Sequence, residues 1–153
     1  MADFSFVTAR LATGAAVSSA ADVQQLLGAG ITHIIDCRAE FDDGPLLASS
    51  GAHYLYDPTA DDGQHPKPTA WFGAGIGFAL PALAQPRTKV YAHCAAGVNR
   101  GPSIAAAILM ALGINGPAVR QMIISARPQV SLAYFDDAVA AVASLGYATV
   151  SST

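Results

Sequence analysis

Charge is scarce in this chain. Asp, Glu, Lys and Arg make up only 12% of its 153 residues, and eight basic residues stand against eleven acidic ones, a net charge of −3 with histidine neutral. A partner as polyanionic as nucleic acid or a membrane surface calls for a basic stripe, and the Lys and Arg here are scattered, so neither partner is expected. Cysteine is scarcer still. Cys37 and Cys94 are the only two, with no CxxC and no Cys/His cluster, which argues against a structural zinc site; no metal and no cofactor are expected. Long apolar runs are missing too: the longest, Ile104 to Leu112, is too short to span a bilayer. The start, MADFSFVTAR, carries Asp3 and Arg10 and no continuous apolar core, so no signal peptide is expected and the cytoplasm is the expected location.

What the chain does have is apolar mass, 52% of its residues, enough for a sizeable core in one domain over residues 1–153. Thr149 to Thr153 reads as a tail. Strands are expected at Phe4–Ala9, Ile31–Asp36, Ala52–Tyr56 and Lys89–His93. Ser18 and Ser19 suit the N-cap of a helix over Ala20–Leu27, stopped by Gly28 and Gly30. A helix is expected from Thr69 to Gln85, then three more over Ser103–Leu112, Pro117–Ala126 and Leu132–Leu145. Strands alternate with helices first and helices follow alone. That order implies an α/β fold, a small parallel or mixed central sheet with helices on both faces. The stretch Asp57 to Pro68 is the one long run of turn formers, and such a loop inside a small domain is usually functional.

The chemistry concentrates in HCAAGVNRGPS, residues His93 to Ser103. It sits between a strand and a buried helix, where phosphate is commonly held. A thiolate at Cys94 is favoured by the helix N-terminus that follows it. Ala95, Ala96, Gly97, Val98 and Asn99 are compact enough for their backbone N–H groups to curl toward one centre. Arg100 closes the ring with a two-pronged fork that lysine lacks.

This stretch resembles the cysteine-phosphatase signature HCxxGxxR, specifically its dual-specificity form HCxAGxSRSP[ST]. RLATGAAVSSAADVQQLLGAGITHIID is similar to the opening strand, helix and second strand of that family, AHYLYDPTADD to its strand and acid loop, and GPSIAAAILMALGI with VRQMIISARPQV to the helices beyond. The resemblance implies a dual-specificity phosphatase-like member of the cysteine-dependent protein tyrosine phosphatase superfamily. It implies attack on phosphorus by Cys94, a cysteinyl-phosphate intermediate, and equatorial oxygens held by Arg100 and the amides of Ala95 to Asn99. His93 would order the loop. The same resemblance implies a general acid at Asp61, with Asp62 adjacent as a supporting residue; Asp57 is expected to be a turn residue, and His65 and Lys67 solvated loop.

Two features bear on mechanism. The family has Ser or Thr after its arginine, where this chain has Gly101; the missing hydroxyl would slow breakdown of the intermediate. Cys37 follows a strand expected beside Lys89–His93, and it resembles the second cysteine of tensin-type phosphatases, which implies a redox partner for Cys94. The expected substrate is a phosphorylated protein or small phosphomonoester, phosphotyrosine first and phosphoserine or phosphothreonine after it. The alternatives are a phosphate-binding module with little turnover, an RNA 5′-triphosphatase of the cysteine type, suggested by Val98-Asn99-Arg100, and a phosphoinositide phosphatase.

Overall fold

A computed structural model describes residues 1–147; the expected tail at 149–153 lies outside the described residues. Five strands form one sheet in the order β1-β2-β5-β3-β4. They are β1 (Phe4–Thr8), β2 (Leu11–Gly14), β3 (His33–Arg38), β4 (His53–Thr59) and β5 (Val90–His93). β1 and β2 pair antiparallel, while β2–β5, β5–β3 and β3–β4 are all parallel. The sheet is therefore mixed, as expected.

Helices cover both faces. α1 (Ala20–Gly28) and the short α2 (Gly44–Leu47) lie on one, where Val23, Leu26 and Leu47 pack with Ala12, Ile34 and Tyr91. α3 (Thr69–Leu83), α4 (Arg100–Ala111), α5 (Gly116–Ala126) and α6 (Phe135–Ser144) lie on the other, over Leu11, Ile35, Cys37, Val90, Ala92 and Cys94. The period of two along β3 and β5 sorts these residues: Ile34 and Tyr91 point to one face, Ile35 and Ala92 to the other. α4 is buried from Arg100 through Met110, which is why its sequence is so rich in alanine and free of charge beyond Arg100.

Several boundaries move from expectation. β3 starts at His33 because the N–H groups of Ile31 and Thr32 are taken by Leu26 O and Lys89 O. β4 runs on through Asp57-Pro58-Thr59, so the turn-former stretch begins later than its composition suggests. α6 starts only at Phe135, after Leu132 with φ of 54°, which no helix accepts. β2 falls in the RLATG stretch whose resemblance implies an opening strand, whereas α2 was not expected.

Two registers position the site. Gly14 and Asp36 both pair with His93. The carboxyl ends of three parallel strands thus finish in one row, where loops of α/β sheets gather for function.

Candidate active site

Cys94 follows β5 directly and Arg100 opens α4. The five residues between them make a loop whose carbonyls are all held from outside. Ala95 O accepts from Ala16 N at 3.0 Å, and Val98 O from Ser131 N and Leu132 N at 3.1 and 3.2 Å. Ala96 O and Gly97 O accept from Arg127 Nη2 and Nε at 3.0 and 2.8 Å, and Asn99 O accepts Ser103 Oγ at 2.7 Å. In a trans peptide the following N–H points opposite the carbonyl. The amides of Ala96 to Asn99 therefore face inward, and among the described residues no protein acceptor takes them. Successive backbone N–H groups turned to one side have the form of an anion nest. Gly97 is required in it: φ is +69°, and a Cβ would stand 2.4 Å from the carbonyl carbon of Gly14.

Arg100 completes the ring in a specific orientation. Nη1 and Nη2 donate to Glu40 Oε1 and Oε2 at 2.7 and 2.9 Å, and Nη1 also reaches Thr59 O at 2.9 Å. Nε is buried and has no partner among the described residues. Glu40 thus grips the end of the guanidinium and leaves the Nε–Nη2 edge as an open fork for a tetrahedral oxyanion. The Arg100 hydrogen bonds hold Glu40 down at about 2, and Glu40 in turn raises Arg100, with Cys94 and Asp61 close enough to add to it. Glu40 sits sixty positions from its partner and carries no motif of its own.

The expected acid, Asp61, lies in the loop after β4. Asp61 is exposed, and its Oδ1 accepts from Tyr134 Oη at 2.8 Å. Asp62 is spent on Lys67 Nζ at 2.7 Å, which lowers its pKa first, with Gln64 N assisting; a carboxylate so held is a poor proton donor. Lys67 is not the solvated residue expected: it is 6% exposed and also donates to Ala60 O at 2.7 Å. His65 is half exposed and pairs with Asp137 Oδ2 at 2.7 Å. Asp57 is not a turn residue either. It lies in β4, buried, its Oδ2 has no partner among the described residues, and burial pushes its carboxyl up to about 7.

His93 points to the opposite face from Cys94 and enters a buried hydrogen-bonded network. Its Nε2 lies 2.5 Å from Asp43 Oδ2 and its Nδ1 3.2 Å from Cys94 O. Asp43 Oδ1 accepts from Arg38 Nη2 at 2.7 Å, and Arg38 Nε donates to Asp36 Oδ1 at 3.0 Å. Of the three potential metal-ligand side chains, His93 contacts Asp43 directly and Arg38 bridges Asp43 to Asp36. His93 is thus held by a chain of contacts that reaches the Glu40–Asp43 stretch after β3.

Cys37 and Cys94 belong to the same apolar cluster. Since Asp36 pairs with His93, Cys37 is the next residue along in the row that holds Cys94. Burial raises the Cys37 thiol well above its usual range, and the nearby Cys94 and Asp57 add to the effect. Gly101 has a steric reason: a Cβ there would come within 2.8 Å of His93 Cα and 2.9 Å of Ala92 O. A serine hydroxyl is excluded because α4 packs its first turn directly on β5.

A sheet of this order, with a cysteine and an arginine bounding an amide nest at the end of its central strand, defines the dual-specificity phosphatase-like fold, and the chain has it. No protein-family model matches the chain. Among solved structures it is similar to DUSP15, at a TM-score of 0.77 and 25% identity over 95% of this chain and 93% of that one. PTPMT1 superposes at a TM-score of 0.77 with 21% identity, covering 93% of this chain and 95% of that chain. In sequence, 95 residues are 30% identical to human dual specificity protein phosphatase 13B, covering 60% of this chain and 48% of that protein. The chain therefore spans about half the length of that curated relative. These relatives are hydrolases of phosphate esters.

Proposed function

We propose that the protein is a cysteine-dependent phosphatase that hydrolyses phosphotyrosine, and phosphoserine or phosphothreonine beyond it, through a cysteinyl-phosphate. The observation that carries this reading is the unpartnered buried Nε of Arg100 beside inward amides and Cys94. Such a ring of donors stabilises the charge of a phosphoryl group in flight. Cys94 Sγ attacks phosphorus, and the bond to the ester oxygen breaks. Asp61 gives its proton to that oxygen. Water then cleaves the thiophosphate bond and releases phosphate.

Charge supports a protein monoester over a polyphosphorylated ligand. Arg100 is the only cation in the loop, whose other positions are Ala95, Ala96, Gly97, Val98 and Asn99. Glu40 is paired with Arg100 and Asp62 with Lys67, so the described residues offer no surplus of cations for a 5′-triphosphate or a multiply phosphorylated lipid headgroup. PTPMT1 has been solved in complex with PI(5)P, and that structure matches this chain at a TM-score of 0.76 and 20% identity, covering 94% of this chain and 99% of that one; the likeness extends to the fold. The neighbouring position of Cys37 in the same row supports its reading as a redox partner of Cys94. No helix of the described residues is long and apolar enough to cross a membrane, and a cytoplasmic location fits both thiols being free.

The test is a panel of phosphotyrosyl and phosphoseryl peptides, PI(5)P and an RNA 5′-triphosphate, with wild type and Cys94→Ser. Phosphotyrosyl peptide is expected to be turned over fastest, and Cys94→Ser to be inactive on all. Faster release from the lipid or the triphosphate overturns the substrate reading. Binding without turnover on any substrate points to the phosphate-binding module.

A further inference from the structure

The acid loop and the phosphate loop are tied to each other through one short segment, Ser131 to Tyr134. Its N–H groups at Ser131 and Leu132 donate to Val98 O at 3.1 and 3.2 Å, and that of Ala133 to Asn99 Oδ1 at 2.9 Å. Its last residue, Tyr134, is fully buried and turns the other way, into the acid loop. We propose that Tyr134 is a positioning residue for proton transfer, fixing Asp61 against the phosphate loop and dictating which of its oxygens carries the proton. This rests on Asp61 being the acid.

The Gly63 contact has a forced direction, and it leaves the phenol proton for Asp61. Gly63 N donates to Tyr134 Oη at 3.0 Å and a backbone N–H cannot accept. The phenol's single proton is therefore free for Asp61 Oδ1, 2.8 Å away. With Oδ1 accepting, the transferable proton sits on Oδ2. When the ester bond breaks, the leaving oxygen takes that proton and Asp61 becomes a carboxylate. A donor already aimed at it strengthens as the charge develops, so the gain is larger in the transition state than in the ground state. Burial raises the pKa of Tyr134, with Asp61 adding to it, so the phenol stays protonated and remains a donor. Its ring is wedged in place, with Lys67 Nζ 4.8 Å from the centroid and the His65 ring at 5.4 Å. Asp137 Oδ2 holds both flanks of the loop, taking His65 Nδ1 at 2.7 Å and Lys67 N at 3.0 Å.

The sequence signal was absent: Tyr134 lies seventy-three positions from Asp61 in a stretch that reads as part of a helix. The test compares phenyl phosphate, whose leaving group needs a proton, with nitrophenyl phosphate, whose leaving group needs little, in wild type, Tyr134→Phe, Asp61→Asn and the double variant. Tyr134→Phe is expected to lower kcat on phenyl phosphate about 10-fold, the scale of one hydrogen bond to a developing charge, and to leave nitrophenyl phosphate within about 2-fold. Added to Asp61→Asn it should cost nothing more. The ratio of the two rates does not depend on how much of a variant is folded, so a poorly folding Tyr134→Phe still reports. An unchanged ratio in Tyr134→Phe with a lowered one in Asp61→Asn overturns the role of Tyr134 alone. An unchanged ratio in both removes Asp61 as the acid and the proposal with it.

Discussion

Three acidic residues in the Asp57–Asp62 stretch have three different fates, set by their surroundings. Asp62 is held as an anion by Lys67, Asp61 is offered to the site by Tyr134, and Asp57 is buried without a partner. The last has a thermodynamic consequence. An aspartate in the unfolded chain titrates near about 3.9, whereas burial lifts Asp57 to about 7 in the folded protein. Between those values the folded chain keeps a proton that the unfolded chain has lost. Stability contributed by the protonated group is therefore complete below the lower value, falls as pH rises through the window, and levels above the upper one. Asp57→Asn should remove this dependence. The variant is expected to melt about 4 °C or more above wild type near pH 8, with the gap shrinking toward zero near pH 4. A gap that does not change with pH would mean that Asp57 does not titrate in this way.

Local chemistry made the elements recoverable; their contacts were another matter. Ser19 caps α1 by accepting from Asp22 N, and Pro117 sits in the first turn of α5, both as their sequence positions imply. α4 starts at Arg100 rather than Ser103 because a proline in a first turn needs no N–H partner, so Gly101-Pro102 opens the helix instead of delaying it. Cys94, Gly97 and Arg100 were readable because their spacing is local. Glu40, Asp43, Arg127 and Tyr134 were not, because each meets the site only after the sheet has formed. Gly101 reads differently in three dimensions: what looked like a lost hydroxyl is a contact between α4 and β5 with no room for a side chain. The pairing of β3 with β5 carries its own test. Peroxide converts the Cys94 thiolate to a sulfenic acid; the Cys37 thiol then displaces water to form a disulfide, a condensation that consumes no further oxidant. Brief peroxide treatment followed by mapping under thiol-blocked, denaturing conditions is expected to give a Cys37–Cys94 linked peptide, with activity restored by reductant. Oxidation of Cys94 onward to sulfinic acid at the same rate in wild type and Cys37→Ala would exclude Cys37 as its partner.

Across the whole molecule, the sheet order brings four separate parts of the chain to one place. Gly14 ends β2 against the phosphate loop, the Glu40–Asp43 stretch after β3 holds Arg100 from one side and His93 from beneath, the loop after β4 brings Asp61, and the segment before α6 joins that loop to Val98 and Asn99. None of these contacts moves the reacting bond; on the proposed mechanism, together they hold one thiol, one fork of N–H groups and one carboxyl for a phosphate. The central claim is that Cys94 itself takes the phosphoryl group. Rapid acid quench of wild type during turnover of nitrophenyl phosphate, followed by mass mapping, tests it directly. A single phosphoryl group on the Cys94 peptide, absent from Cys94→Ser together with all turnover, is the expected result. A phosphoryl group on another side chain, or turnover that survives in Cys94→Ser, would contradict it.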